Sequence, residues 1–128
     1  MGIQITRVDH VQITAPPARL AATVAFYRDV LGLEEIVPRG GKPTEGPAWF
    51  RCGPMKVHVS SDPAAESGQD GAKRHVCFVV ADLAETERAI RERGIAVLPD
   101  ERPVRGWPRI YVRDPAGNRL ELACPVIG

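Results

Sequence analysis

Along the chain, stretches in which apolar and polar residues alternate one by one surround two stretches with a helical period. The first alternation covers residues 7–14, with Val11 and Ile13 on one face and His10, Gln12 and Thr14 on the other. Pro16 and Pro17 end that strand and suit a first helical turn. Leu20, Val24, Tyr27 and Leu31, with Phe26 and Val30 beside them, then predict an amphipathic helix over 18–31, terminated by Gly32. A short strand over 33–37, a Gly- and Pro-rich loop over 38–47 and strands over 48–52 and 55–60 follow. In the last of these, Met55, Val57 and Val59 face one way and Lys56, His58 and Ser60 the other.

Residues 62–73 are small and polar, so they read as a linker between modules spanning 5–61 and 74–125. The second module repeats the order of the first. A strand over 75–80 precedes a helix capped by Asp82, with Glu85 three positions on, that runs to Arg93 before Gly94. A short strand over 95–98 and a loop over 100–108 lead to a closing hairpin, 109–125. There Ile110, Val112, Leu120 and Leu122 are the apolar positions, and Pro115 and Gly117 shape the turn. Glu121 sits mid-strand on the face opposite Leu120 and Leu122, where solvent exposure is the ordinary explanation of a carboxylate.

The two modules match in residues as well as in elements. His10-Val11 aligns with His75-Val76, Gly32-Leu33 with Gly94-Ile95, and Lys56 to Val59 with Arg119 to Leu122, which sets His58 against Glu121. If the modules pair about a pseudo-twofold axis, an α+β fold results: two tandem βαβββ modules forming a curved, mostly antiparallel cup with helices outside. His10, His58, His75 and Glu121 all lie on the faces opposite the apolar residues. Imidazole and carboxylate donors together suit a divalent transition metal, with zinc, nickel, manganese, iron and cobalt left open.

Other residues on these faces have two readings each. Gln12 and Thr14 line a substrate pocket or are simply strand formers, and Cys77 lines the pocket or is a buried, inert thiol. Arg102, Arg105 and Arg109 hold an anionic group or serve solubility. Tyr111 is a hydrogen-bond donor and weak acid or a cross-strand packing residue, and Trp49 and Trp107 wall the cavity or pack the core.

Composition narrows the function classes. In 128 residues, 17 Lys and Arg against 16 Asp and Glu leave a net charge of +1, with no basic tract of the kind that binds nucleic acid or membrane surfaces. Three cysteines without a C-x-x-C pair, and no leader pattern at the start, predict a reducing cytoplasm. The expected partner is a small molecule.

The four polar residues, with FYRDVLGL at 26–33 and YVRDPAGNRLEL at 111–122, resemble the vicinal oxygen chelate superfamily. That group includes glyoxalase I, fosfomycin-resistance enzymes, methylmalonyl-CoA epimerase, extradiol dioxygenases and bleomycin-binding proteins. The resemblance implies a homodimer with one metal per site, ligated by His10, His75 and Glu121. His58 stands where glyoxalase I has a glutamate ligand and is either a fourth ligand or a residue that hydrogen-bonds substrate. The resemblance further implies that Glu121 takes a proton from the carbon beside a substrate carbonyl, with Tyr111 as a site tyrosine. Arg105 and Arg109 stand where fosfomycin enzymes carry short hydroxyl side chains. Lyase or isomerase chemistry is therefore expected first; fosfomycin-type resistance, extradiol ring cleavage and non-catalytic drug binding are the alternatives. In swapped dimers of this group His10 and His58 would meet the partner chain's second module.

Overall fold

The computed structural model describes residues 2–37, 41–42, 46–65 and 73–126. The chain divides into two compact units, Met1–Glu66 and Ser67–Gly128. Most of the expected linker, and part of the 38–47 loop, lie outside the described residues.

In the N-terminal unit the strands are β1 (His10–Ala15), β2 (Glu34–Glu35), β3 (Ala48–Cys52) and β4 (Met55–Ser61), joined in the order β1-β4-β3-β2. Strands β1 and β4 run parallel, and the other pairings are antiparallel. Gly53, at φ 57°, closes the β3–β4 hairpin in a conformation that only glycine takes without cost. Between β1 and β2 the helical stretch is divided. Pro17–Arg19 forms a 3₁₀ turn, helix α1 covers Leu20–Ala25, and Phe26–Val30 widens into a π turn. The paired prolines explain the tight start; at the far end Leu31 N donates to Phe26 O, one residue beyond the α spacing. The widened turn buries both Phe26 and Tyr27.

The apolar face of this sheet carries the core. Ile13, Phe50, Val57 and Val59 are buried together with Val24 and Tyr27 of the helical stretch. The rings of Tyr27 and Phe50 lie 6.4 Å apart.

In the C-terminal unit β5 (Val76–Val79), β6 (Arg109–Arg113) and β7 (Arg119–Ala123) form a sheet in the order β5-β7-β6, with β5 and β7 parallel. Helix α2 spans Leu83–Glu92 and starts at Asp82, whose side chain accepts from Glu85 N, so the expected cap is present. The strand expected at 95–98 is reduced to one bridge, Leu98 to Tyr111. Ile95 N is instead held by Ile90 O in the helix's final turn, which leaves too few residues for a strand.

The internal repeat is present in the register. Gln12 pairs with His58 across β1 and β4 as Cys77 pairs with Glu121 across β5 and β7. Ile36 N donates to Trp49 O, and Leu98 N donates to Tyr111 O, each at 2.7 Å. The result is an α+β protein with two mixed sheets, one in each unit.

Candidate functional site

The closing hairpin supplies the centre of the C-terminal unit's polar face. Asp114 ties its turn by accepting from Ala116 N and Asn118 N at 2.9 Å, and Gly117 takes φ 90°. This fixes Tyr111 directly across from Glu121, with Cys77 on Glu121's other side. Glu121 is only 4% exposed. Solvent exposure, the ordinary explanation expected from the sequence, is therefore not the reason for this carboxylate.

Glu121 is buried because it is fully engaged. Its Oε2 accepts from Trp107 Nε1 at 2.7 Å and from Cys77 Sγ at 3.4 Å. Its Oε1 lies 3.3 Å from the Tyr111 hydroxyl, which donates to it, and 2.9 Å from His75 Nε2. Arg109 Nη1 stands 3.7 Å from Oε2. Burial pushes the carboxyl's pKa up, but the hydrogen bonds from Trp107, Cys77 and His75, with the charge of Arg109, outweigh it and hold the group below its usual value. The same contact works in reverse on the thiol. Burial, then the hydrogen bond to Glu121, push Cys77 up to about 11. Cys77 is exposed as a residue, not buried in a core as its expected inertness implied, but its thiol is part-buried against Glu121, and the protonated state that results makes it unreactive. Tyr111 is buried and its hydroxyl is raised by burial and by Glu121, so at neutral pH it is a donor.

His75 has one orientation consistent with these contacts. Its Nδ1 donates to Lys73 O at 2.6 Å, so Nε2 donates to Glu121 when the ring carries both protons and turns a lone pair toward the carboxylate when the ring is neutral. Two acceptors at 2.9 Å call for a cation between or beside them, either a proton on the imidazole or a metal ion.

The N-terminal unit's polar face repeats this device. His10 Nδ1 donates to Asp9 Oδ2 at 2.9 Å, and His58 Nδ1 donates to Gln12 Oε1 at 2.8 Å, while Gln12 Nε2 donates to Ser60 Oγ. Trp49 stacks on His58 at 4.0 Å between ring centres and meets His10 edge-on at 4.9 Å. Burial and the neighbouring His10 push the His58 pKa down, so it is neutral. All three histidines thus present Nε2 with Nδ1 anchored on an oxygen, the arrangement that orients imidazole metal ligands.

Within the C-terminal unit the structure brings together His75, Glu121, Tyr111, Cys77 and Arg109; in the N-terminal unit it gathers His10, His58 and Gln12, with Thr14 on the same strand. Among the described residues no three His, Cys, Asp or Glu side chains are grouped as a metal site within reach of one ion. The donor chemistry of His75 and Glu121 nevertheless fits a divalent metal: a fixed tautomer beside an ionised carboxylate. Of the arginines, Arg109 is committed to Asp100 and to Arg102 O, and its salt bridge holds Asp100 below the usual carboxylate range. Trp107, expected as a cavity wall or packing residue, instead holds Glu121 directly. Arg119, aligned with Lys56 in the repeat, has no role in the sequence reading, although two positions before Glu121 on the same strand it must share Glu121's face.

Residues 7–122 match the family model described as the Glyoxalase/Bleomycin resistance protein/Dioxygenase superfamily. The chain is similar to a glyoxalase family protein of known structure from Bacillus anthracis, at 34% identity and TM-score 0.78, covering 98% of this chain and 99% of that one. It is similar to lactoylglutathione lyase from Agrobacterium tumefaciens at 26% identity and TM-score 0.70, covering 94% of each chain. The metallothiol transferase FosB of Staphylococcus haemolyticus is 26% identical over 116 residues, 86% of this chain and 78% of that protein.

Proposed function

Since the chain belongs to the Glyoxalase/Bleomycin resistance protein/Dioxygenase superfamily, we propose that it is a metal-dependent enzyme whose small substrate binds the metal through neighbouring oxygens. Lyase or isomerase chemistry is the favoured reaction. The observation that carries this reading is the 2.9 Å approach of His75 Nε2 to the Glu121 carboxylate, with Nδ1 already bound to Lys73 O. His75 and Glu121 would hold the metal, and His10 is the third proposed ligand. His58, with its tautomer set by Gln12, is proposed as a fourth ligand or a substrate contact. The proposed working form is a homodimer.

Bound there, a divalent cation supplies Lewis acidity and so acidifies a carbon beside a chelated carbonyl. The protein's own residues do the rest. Trp107 and Cys77 hold one oxygen of Glu121 and leave the other oriented toward His75 and Tyr111. Tyr111, kept neutral, would turn its single O–H from Glu121 to a developing negative charge on the substrate. Glu121 is the carboxylate proposed to accept a substrate proton. Its low pKa makes it a weak base, so it requires a strongly acidified carbon-bound proton.

The test is formation of lactoylglutathione from methylglyoxal and glutathione by the zinc- or nickel-loaded protein. Turnover lost in Glu121→Gln supports the lyase reading. Metal uptake without turnover would overturn it and favour a binding protein.

A further inference from the structure

We propose that a cavity in the C-terminal unit is an oxyanion subsite, where the Arg119 guanidinium lying on the Tyr111 ring, with Lys73, receives a carboxylate, phosphonate or phosphate group of the ligand. The inference rests on the proposed metal reading only in so far as His75 borders the same cavity.

The cavity measures about 490 Å³, within the usual range for a small-molecule site. Its charged lining, histidine aside, has five cations, Lys73, Arg102, Arg109, Arg113 and Arg119, against the carboxylates of Asp100 and Glu101. Like charges gathered on one concave wall repel, so the imbalance favours a bound anion.

Which cation meets the ligand follows from what each already holds. Arg109 gives Nε to Asp100 Oδ2 at 3.0 Å and Nη2 to Arg102 O at 2.9 Å, and Arg113 Nη1 donates to Gly117 O. Asp100 is likewise occupied, accepting from Arg109 and from Arg102 N. Arg119 differs. Its guanidinium carbon lies 4.1 Å from the centre of the Tyr111 ring, and among the described residues it has no acceptor. An aromatic face steadies a cation but accepts none of its N–H bonds, so the planar fork remains available for two parallel bonds to an oxyanion. Lys73 borders the cavity without an acceptor for its ammonium among the described residues, and its carbonyl anchors His75. Tyr111 links the two functions, since its ring supports Arg119 while its hydroxyl donates to Glu121. A ligand with an anionic group and neighbouring oxygens would meet both.

Of the arginines singled out in the sequence, Arg102 lines the cavity with no acceptor for its guanidinium among the described residues and stands beside Arg119 in this role, whereas Arg105 and Arg109 do not. Arg109 is spent on Asp100, and Arg105 does not line the cavity.

The test uses methylphosphonate and acetate as probes, read by NMR line broadening and titrated into the metal-free and the zinc-loaded protein. Saturable binding of either probe is expected, weakened roughly tenfold or more in Arg119→Gln, as loss of a charge-assisted pair implies, and partly restored in Arg119→Lys. Arg91→Gln, in α2 and paired with Glu87, should bind as the parent does. Equal affinity in the parent and Arg119→Gln, or equal weakening in Arg91→Gln, would overturn the subsite. Zinc uptake is measured on the same samples. Probe binding that survives without zinc uptake would keep the subsite and remove the metal reading; zinc uptake with unchanged probe binding in Arg119→Gln would do the opposite.

Discussion

At the scale of single residues, Glu121 controls the ionisation of its neighbours. Trp107, Cys77 and Tyr111 donate to one carboxylate with His75 Nε2 beside it, and the carboxylate in turn raises the Cys77 thiol and the Tyr111 hydroxyl. Because its folded pKa lies below the ordinary value of 4.5, its charge stabilises the fold above that value, and the contribution fades as pH falls through the folded pKa. In metal-free buffer the parent's urea midpoint should therefore fall more steeply below about pH 4.5 than that of Glu121→Gln. Parallel curves would mean that the donors do not act on the carboxylate. Cys77 gives a second readout. Its alkylation by iodoacetamide, followed with Cys52 and Cys124 replaced by serine, should rise with a midpoint near pH 11. Replacing Glu121 by Gln should move that midpoint down, since one of the causes that raise it is removed.

At the scale of elements, the hairpin and the α2 cap carry the site's precision. Leu122 is 1% exposed on the reverse of the strand that carries Glu121, so Leu122→Ala should cost about 2–5 kcal/mol in urea unfolding. Asp82→Ala removes the acceptor for Glu85 N and should cost about 1 kcal/mol without altering metal binding. These elements were legible in the sequence because each has a strong local signature. The hairpin strands at 109–113 and 119–123 are present with those bounds, and the cap lies at Asp82. Elements without a local signature were harder to read. The strand expected over 33–37 contracts to Glu34–Glu35, and that over 95–98 to a single bridge, since both depend on pairing with distant strands. The site divides the same way. Period-two alternation put His75, Cys77, Tyr111 and Glu121 on one face, whereas Trp107 reaches Glu121 from a loop, where no period operates.

At the scale of the whole molecule, the repeat gives the N-terminal unit two anchored imidazoles, His10 and His58, and the C-terminal unit one, His75. Among the described residues no helix is long and apolar enough to cross a membrane. If His10 is a metal ligand, as proposed, the stabilisation that metal gives depends on it. Zinc at one hundred times its dissociation constant should then stabilise the fold by about 2.7 kcal/mol, and His10→Ala should abolish most of the resulting rise in melting temperature. An undiminished rise in His10→Ala would exclude it from the ligand set. The most direct measurement is elemental analysis of the protein purified without a histidine tag, with His75→Ala alongside. About one transition metal per chain, lost in a variant that melts as the metal-free parent does, is the predicted result. A metal-free parent that takes up none on titration, or a variant that retains its metal, would contradict the account.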